Sequence, residues 1–115
     1  MARIVSALEA LFITTQRGIT KQFEKRISMV SKELKKVGYL SRSISKRTAK
    51  KIYELRCDYA HRGVFNKKEE EYNKNIKYLE LSREILSGTI RRCIKDQNFA
   101  KIFYSRKRVD KAWPV

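Results

Sequence analysis

Proline occurs once, at Pro114, and glycine four times in 115 residues. This excludes a β-sandwich or barrel, which needs turn residues about every ten positions. Two cysteines, Cys57 and Cys93, are too few for a disulfide framework, and both are expected to be reduced. No run approaches the 18 or more apolar residues of a membrane span, and the apolar N-terminus is interrupted by Glu9 with no cleavage-site pattern behind it. A cytoplasmic protein without membrane association is therefore expected. Acidic residues are also scarce, 12 against 28 Lys and Arg. Histidine occurs once, at His61; there is no metal-ligand cluster, and neither a metal nor another cofactor is expected.

What is abundant is positive charge and apolar surface together. The net charge is +16 and the hydrophobic fraction 42%. A chain of this length buries roughly two-thirds of its unfolded surface, enough for a single core, so residues 1–115 read as one domain. The charge is local. Between Arg17 and Lys51 there are 12 basic and 2 acidic residues, a net of +10, and a second patch follows at Arg106, Lys107 and Arg108. Solvated helix faces would account for such runs, but self-repulsion on this scale is best tolerated beside a polyanion, which makes nucleic acid the first partner class and an anionic membrane surface the second.

Helical periodicity runs along the chain. Ile4, Val5, Leu8, Leu11 and Phe12 predict a first helix over about 3–14. Phe23, Ile27, Val30, Leu34 and Val37 predict a second, basic on its other face and ended by Gly38 in a left-handed conformation. Ser41 or Ser43 would cap a third, with Ile44, Thr48, Ile52, Leu55 and Tyr59 as its apolar face and an end near Ala60. From about Glu70, the residues Tyr72, Ile76, Leu79, Leu86, Ile90 and Cys93 predict the longest helix, with Gly88 marking close packing or a slight kink. Phe99, Ile102, Phe103, Val109 and Trp113 fit either a short fifth helix or a basic tail that frays, with Trp113 folded back on the bundle. The expected fold is all-α, a four-helix bundle over about 3–96 followed by a basic helix or tail over 97–115. Its abrupt start after Met1-Ala2 fits a domain cut from a longer chain or a very short gene.

The chemistry concentrates in Arg56-Cys57-Asp58-Tyr59-Ala60-His61-Arg62-Gly63. Five positions on a continuous helix rotate by about 500°, so Arg56 and His61 would point about 140° apart. Either the helix ends between them or a partner helps. Gly63 is placed to end it, leaving His61 at the negative end of the helix dipole, where an imidazolium is favoured. The unperturbed imidazole value of about 6.5 suits a general acid or base. Other uses of these residues are packing or capping by a lone histidine, and a Cys2His2 zinc site built by Cys57 and His61 of two chains. The tyrosines at 39, 53, 59, 72, 78 and 104 could stack bases, although most are core edges by spacing.

The stretch Ile52–Gly63 resembles the Arg-x4–6-His signature of the HEPN superfamily, helical domains of nucleic-acid biology. Ser6-Ala7-Leu8-Glu9-Ala10-Leu11-Phe12, the basic second helix with Phe23-Glu24-Lys25-Arg26-Ile27, and a long helix after the motif are similar to its Apea-like branch. The likeness covers about residues 3–96. It implies a metal-independent endoribonuclease acting on single-stranded RNA as a homodimer, in which the 2′-hydroxyl attacks its own phosphate and leaves a cyclic phosphate. His61 would be the acid/base and Arg56 the stabiliser of the phosphorane. Cys57 stands where the family commonly has Asn, Asp or another polar residue, and Asp58, one place later, could orient the imidazole three residues on or equally form an exposed pair with Arg62. Gly63 stands where one branch, paired with nucleotidyltransferase antitoxins, has tyrosine, so that partner is not implied.

RNA would be guided by Lys46, Arg47, Lys50, Lys51, Arg62, Arg106, Lys107 and Arg108. The resemblance also implies an inhibitory partner protein and a setting in toxin–antitoxin or antiviral defence. The alternative function is a non-catalytic RNA-binding or dimerisation module of a larger protein.

Overall fold

A computed structural model describes the backbone of residues 2–62 and 69–115, and the side chains at 3–55 and 75–115. The fold is all-α: among the described residues there is no strand. The order is α1 (Ala2–Phe12), α2 (Ile19–Lys36), α3 (Lys46–Arg62), α4 (Glu69–Lys95), a single turn α5 (Gln97–Ala100), a 3-10 turn over Lys101–Tyr104, and α6 (Arg106–Ala112). No helix of the described residues is long and apolar enough to cross a membrane.

The periodic residues of the first two helices meet as their spacing requires, except Val37, which lies at the C-terminal cap of α2 beyond its last turn and is 50% exposed. Val5, Leu8 and Phe12 of α1 and Phe23, Ile27, Val30 and Leu34 of α2 are fully buried in one cluster with Ala49 and Ile52 of α3 and Leu81 and Ile85 of α4. Gly38 ends α2 in the left-handed region at φ 88°. The Gly38 amide donates to the Lys35 carbonyl at 3.2 Å and the Tyr39 amide to the Leu34 carbonyl at 2.8 Å, the two bonds that satisfy the last carbonyls of a helix closed by glycine.

The start of α3 differs from the expectation. Its cap is Ser45, whose hydroxyl accepts from the Thr48 amide at 3.2 Å, not Ser41 or Ser43. Ile44 is not on the helix but just before it, buried, with its backbone held by α2: Ser28 Oγ donates to the Ile44 carbonyl at 2.9 Å and the Ile44 amide donates to Ser31 Oγ at 2.9 Å. Two small hydroxyls inside α2 thus replace a turn motif and set where α3 begins. The helix then continues through Arg62, two residues beyond the expected end.

The buried stripe of α4 is rotated from the expected one by one residue, about 100°. Leu81, Ser82, Ile85 and Thr89 face the core, while Leu79, Leu86 and Cys93 lie at its edge and Ile90 is 48% exposed. The Tyr72 side chain lies outside the described residues. The hydroxyls that hydropathy places outside are satisfied within the helix: Ser82 Oγ donates to the Leu79 carbonyl at 2.8 Å and Thr89 Oγ1 to the Ile85 carbonyl at 2.7 Å. A polar side chain so bonded enters a core at little cost. Gly88 marks close packing, as its position in the pattern predicts: a Cβ there would come within 3.2 Å of the Tyr39 carbonyl oxygen.

The C-terminal segment is neither a single fifth helix nor a fraying tail, but two short helices joined by a 3-10 turn. It is helical, capped by Asp96 and Ser105, and Trp113 is folded back to 1% exposure. Phe103 and Trp113 pack on Phe12, and Phe99 packs on both of them, in edge-on and tilted contacts with centroids 5.3 to 6.0 Å apart. The segment over 97–115 therefore completes the core instead of trailing from it.

Candidate nucleic-acid interface

Lys46, Arg47, Lys50 and Lys51 occupy the first two turns of α3 and all four are exposed. At 100° per residue they span about 140° of the helix, opposite Ala49 and Ile52, which anchor the other side in the core. Lys51 pairs with Glu54 at 3.7 Å, and the other three have no ion pair to a described residue. A carboxylate partner in that much solvent holds a lysine weakly, so the whole face remains available to phosphate.

The same helix carries Arg56, Cys57, Asp58, His61 and Arg62. Their side chains lie outside the described residues, as does Gly63. Their positions along the unbroken helix are nevertheless informative. By helical rotation alone, positions 57, 58, 61 and 62 fall in the angular sector of 46, 47, 50 and 51, and position 56 falls in the sector of 49 and 52. The helix does not end between Arg56 and His61, and the two positions are about 140° apart around its axis.

A second basic surface lies at the C-terminus. Arg106, Lys107 and Arg108, together with Lys101 and Lys111, are exposed, and Tyr104 among them is 73% exposed. The only acid in residues 97–115 is Asp110, and it is committed elsewhere.

Arg26 is a basic residue of the second helix that does not serve this surface. It is 3% exposed, and its Nε donates to the Trp113 carbonyl at 2.8 Å, Nη1 to the Phe12 carbonyl at 2.7 Å, and Nη2 to Asp110 Oδ1 at 2.7 Å. Thr14 Oγ1 donates to the same carboxylate oxygen at 2.6 Å. The Thr14 hydrogen bond first, and then the Arg26 one, hold the Asp110 carboxyl below its ordinary value. The network ties α6 to the end of α1 and to the middle of α2. Its only trace in the sequence is a lone acid in a basic segment.

Arg91 and Arg92 are likewise engaged. Arg91 Nη2 donates to the Tyr39 carbonyl at 2.9 Å, and Arg92 lies 4.1 Å from the centroid of the Phe99 ring, with Glu33 and Asp96 each 3.9 Å away. Burial pushes the Cys93 thiol up, opposed by neighbouring Arg92, so this cysteine is a thiol and not a thiolate at neutral pH. Among the described residues no group of His, Cys, Asp and Glu could hold a metal ion. Comparison of the chain with protein-family models, with curated proteins and with solved structures finds no match in any of the three.

Proposed function

We propose that this protein is an RNA-binding domain that cleaves single-stranded RNA without a metal, as a homodimer in which Arg56 and His61 of both copies meet around one phosphodiester. The observation that carries the reading is that one uninterrupted helix, Lys46–Arg62, holds both the exposed basic face and the Arg-x4-His motif. A strand held along the first turns of α3 by Lys46, Arg47 and Lys50 is led toward His61, which continues the same face. Arg56 lies about 140° away on the helix, so an arginine beside each imidazole has to come from a second copy.

RNA supplies its own nucleophile. The 2′-oxygen forms a bond to the adjacent phosphorus as the bond from phosphorus to the 5′-oxygen breaks, leaving a 2′,3′-cyclic phosphate and a 5′-hydroxyl. Imidazole at His61 accepts the 2′-hydroxyl proton or, protonated, donates one to the departing oxygen, and the Arg56 guanidinium stabilises the charge on the phosphorane.

The test is labelled RNA in EDTA with the wild type, His61→Ala and Arg56→Ala. Each substitution should lower production of the cyclic phosphate at least about a hundredfold with binding retained. Equal cleavage in all three proteins, or a monomer at micromolar concentration, would overturn the nuclease.

A second reading is favoured by the placement of position 56 on the side of Ala49 and Ile52: the domain holds RNA without cutting it. It keeps the salt dependence of binding and loses the cyclic product.

A further inference from the structure

The C-terminal surface is built differently from the α3 face. Lys101, Ile102, Arg108, Lys111 and Ala112, with Asn98, line a shallow cleft of about 420 Å³ between the 3-10 turn and α6. Its lining includes three cations and no acid. Arg108 is fixed in it, since its Nη1 donates to the Lys101 carbonyl at 3.0 Å, and its guanidinium carbon lies 5.8 Å from the centroid of the Tyr104 ring. Tyr104 closes the 3-10 turn and presents its ring to solvent, while Phe103, its neighbour in sequence, turns inward against Phe12 and Trp113.

We propose that Tyr104 and this cleft form a second nucleic-acid subsite, in which one base of a single strand stacks on the Tyr104 ring and the adjoining phosphate sits among Lys101, Arg108 and Lys111. An exposed aromatic beside fixed cations is the combination that single strands use, because every base has a face to stack and every nucleotide a charge to neutralise. Orientation follows from charge: the groove that Tyr104 shares with α1 sets one cation, Arg106, against Glu9 in its wall, whereas the Arg108 side has three cations and no acid, so the phosphate belongs on the Arg108 side. A bilayer is disfavoured as the ligand. Val109 of α6 and Trp113 at its C-terminal cap are turned into the core at 3% and 1% exposure, so α6 beside the cleft has no apolar face to insert. The inference rests on the proposal that RNA is the partner, but not on cleavage or on Arg56 and His61.

The experiment is fluorescence anisotropy of a fluorescein-labelled dodecauridine at moderate salt with the wild type, Tyr104→Phe, Tyr104→Leu and Arg108→Ala, beside flotation with phosphatidylserine-containing vesicles. Tyr104 is exposed, so its variants should keep the wild-type far-UV circular dichroism and melting temperature. Tyr104→Leu should weaken binding between about fivefold and a hundredfold, and Tyr104→Phe by less than about twofold, since stacking needs the ring and not the hydroxyl. Arg108→Ala should weaken binding and lower its salt dependence by about one ion. A dodecauridine placing 2-aminopurine at one position should show quenching with wild type and Tyr104→Phe and none with Tyr104→Leu. Tight binding by the wild type that Tyr104→Leu leaves unchanged would overturn this subsite and leave RNA as the partner. No binding by the wild type, or capture of the vesicles alone, would overturn both.

Discussion

Arg26 and Asp110 form an ion pair whose two members should be far from equal in their effect on stability. Asp110 is half exposed and Arg26 is 3% exposed. Replacing Asp110 with Asn leaves an oxygen able to accept from both Thr14 and Arg26, and the lost charge faces water, so a cost of about 1 kcal/mol or less is expected. Replacing Arg26 with Met keeps much of the apolar volume but removes the donors to the Phe12 and Trp113 carbonyls, at the end of α1 and at the C-terminal cap of α6. Charge-assisted bonds to buried acceptors are worth about 1.5–3 kcal/mol each, so losing the two should make Arg26→Met cost about 3–6 kcal/mol. Urea unfolding measures both, followed by the fluorescence of Trp113, the single tryptophan, and by far-UV circular dichroism to confirm that the whole fold is lost in one step. In the double variant, the Asp110→Asn increment should shrink toward zero, because its cationic partner is already gone. Equal losses for the two single variants, or a larger one for Asp110→Asn, would refute the reasoning: the ion pair, and not the carbonyl bonds, would then be what holds α6.

Three further outcomes follow from the same structure. The Asp110 carboxyl is held below its unfolded value, so its contribution is complete above about pH 5 and is lost as pH falls through the lower folded-state value; stability in Asp110→Asn should decline less than in wild type over that acid range when measured by urea midpoints. In a Cys57→Ser background, Cys93 should react with iodoacetamide at pH 7 much more slowly than it does in urea, counted by intact mass, because burial keeps it a thiol. Gly88→Ala should lower the melting temperature by the equivalent of about 1 kcal/mol: the helix propensity gained is smaller than the cost of a Cβ 3.2 Å from a Tyr39 carbonyl already held by Arg91.

The helices were legible because burial here follows period. Phe23, Ile27, Val30 and Leu34 could face only one way, and the glycine that ends α2 has no other use at φ 88°. What hydropathy missed is where polar atoms replace apolar ones in the core. Ser28, Ser31, Ser82 and Thr89 are buried because each bonds to a backbone carbonyl, and that bond is invisible to a scale that ranks side chains singly. The misplaced cap of α3 and the one-residue rotation of α4 both have this cause. Of the candidate site, the cations of α3 and α6 were legible as exposed charge. The cleft beside Tyr104 was not, since it depends on the 3-10 turn setting Phe103 and Tyr104 on opposite sides, and a run of apolar residues does not announce which of two neighbours turns out.

A net charge of +16 overstates the surface offered to a polyanion. Arg26 is sealed beneath the C-terminus, Arg92 stacks on Phe99, and Arg91 braces the Tyr39 loop, so these three cations do structural work that no phosphate could take over without opening the fold. The cations left on the α3 face and around the C-terminal cleft are the ones whose removal costs the fold little. Lys46, Arg47 and Lys50 stand opposite the core, and Lys101, Arg106, Lys107 and Lys111 rim a segment whose apolar residues are already buried. Their mutual repulsion is then a standing cost with no return inside the chain, and a bound phosphate backbone relieves it. Charge that stabilises and charge that repels are thus carried by different arginines and lysines of one small domain, and the repelling set is the one that an RNA strand would neutralise.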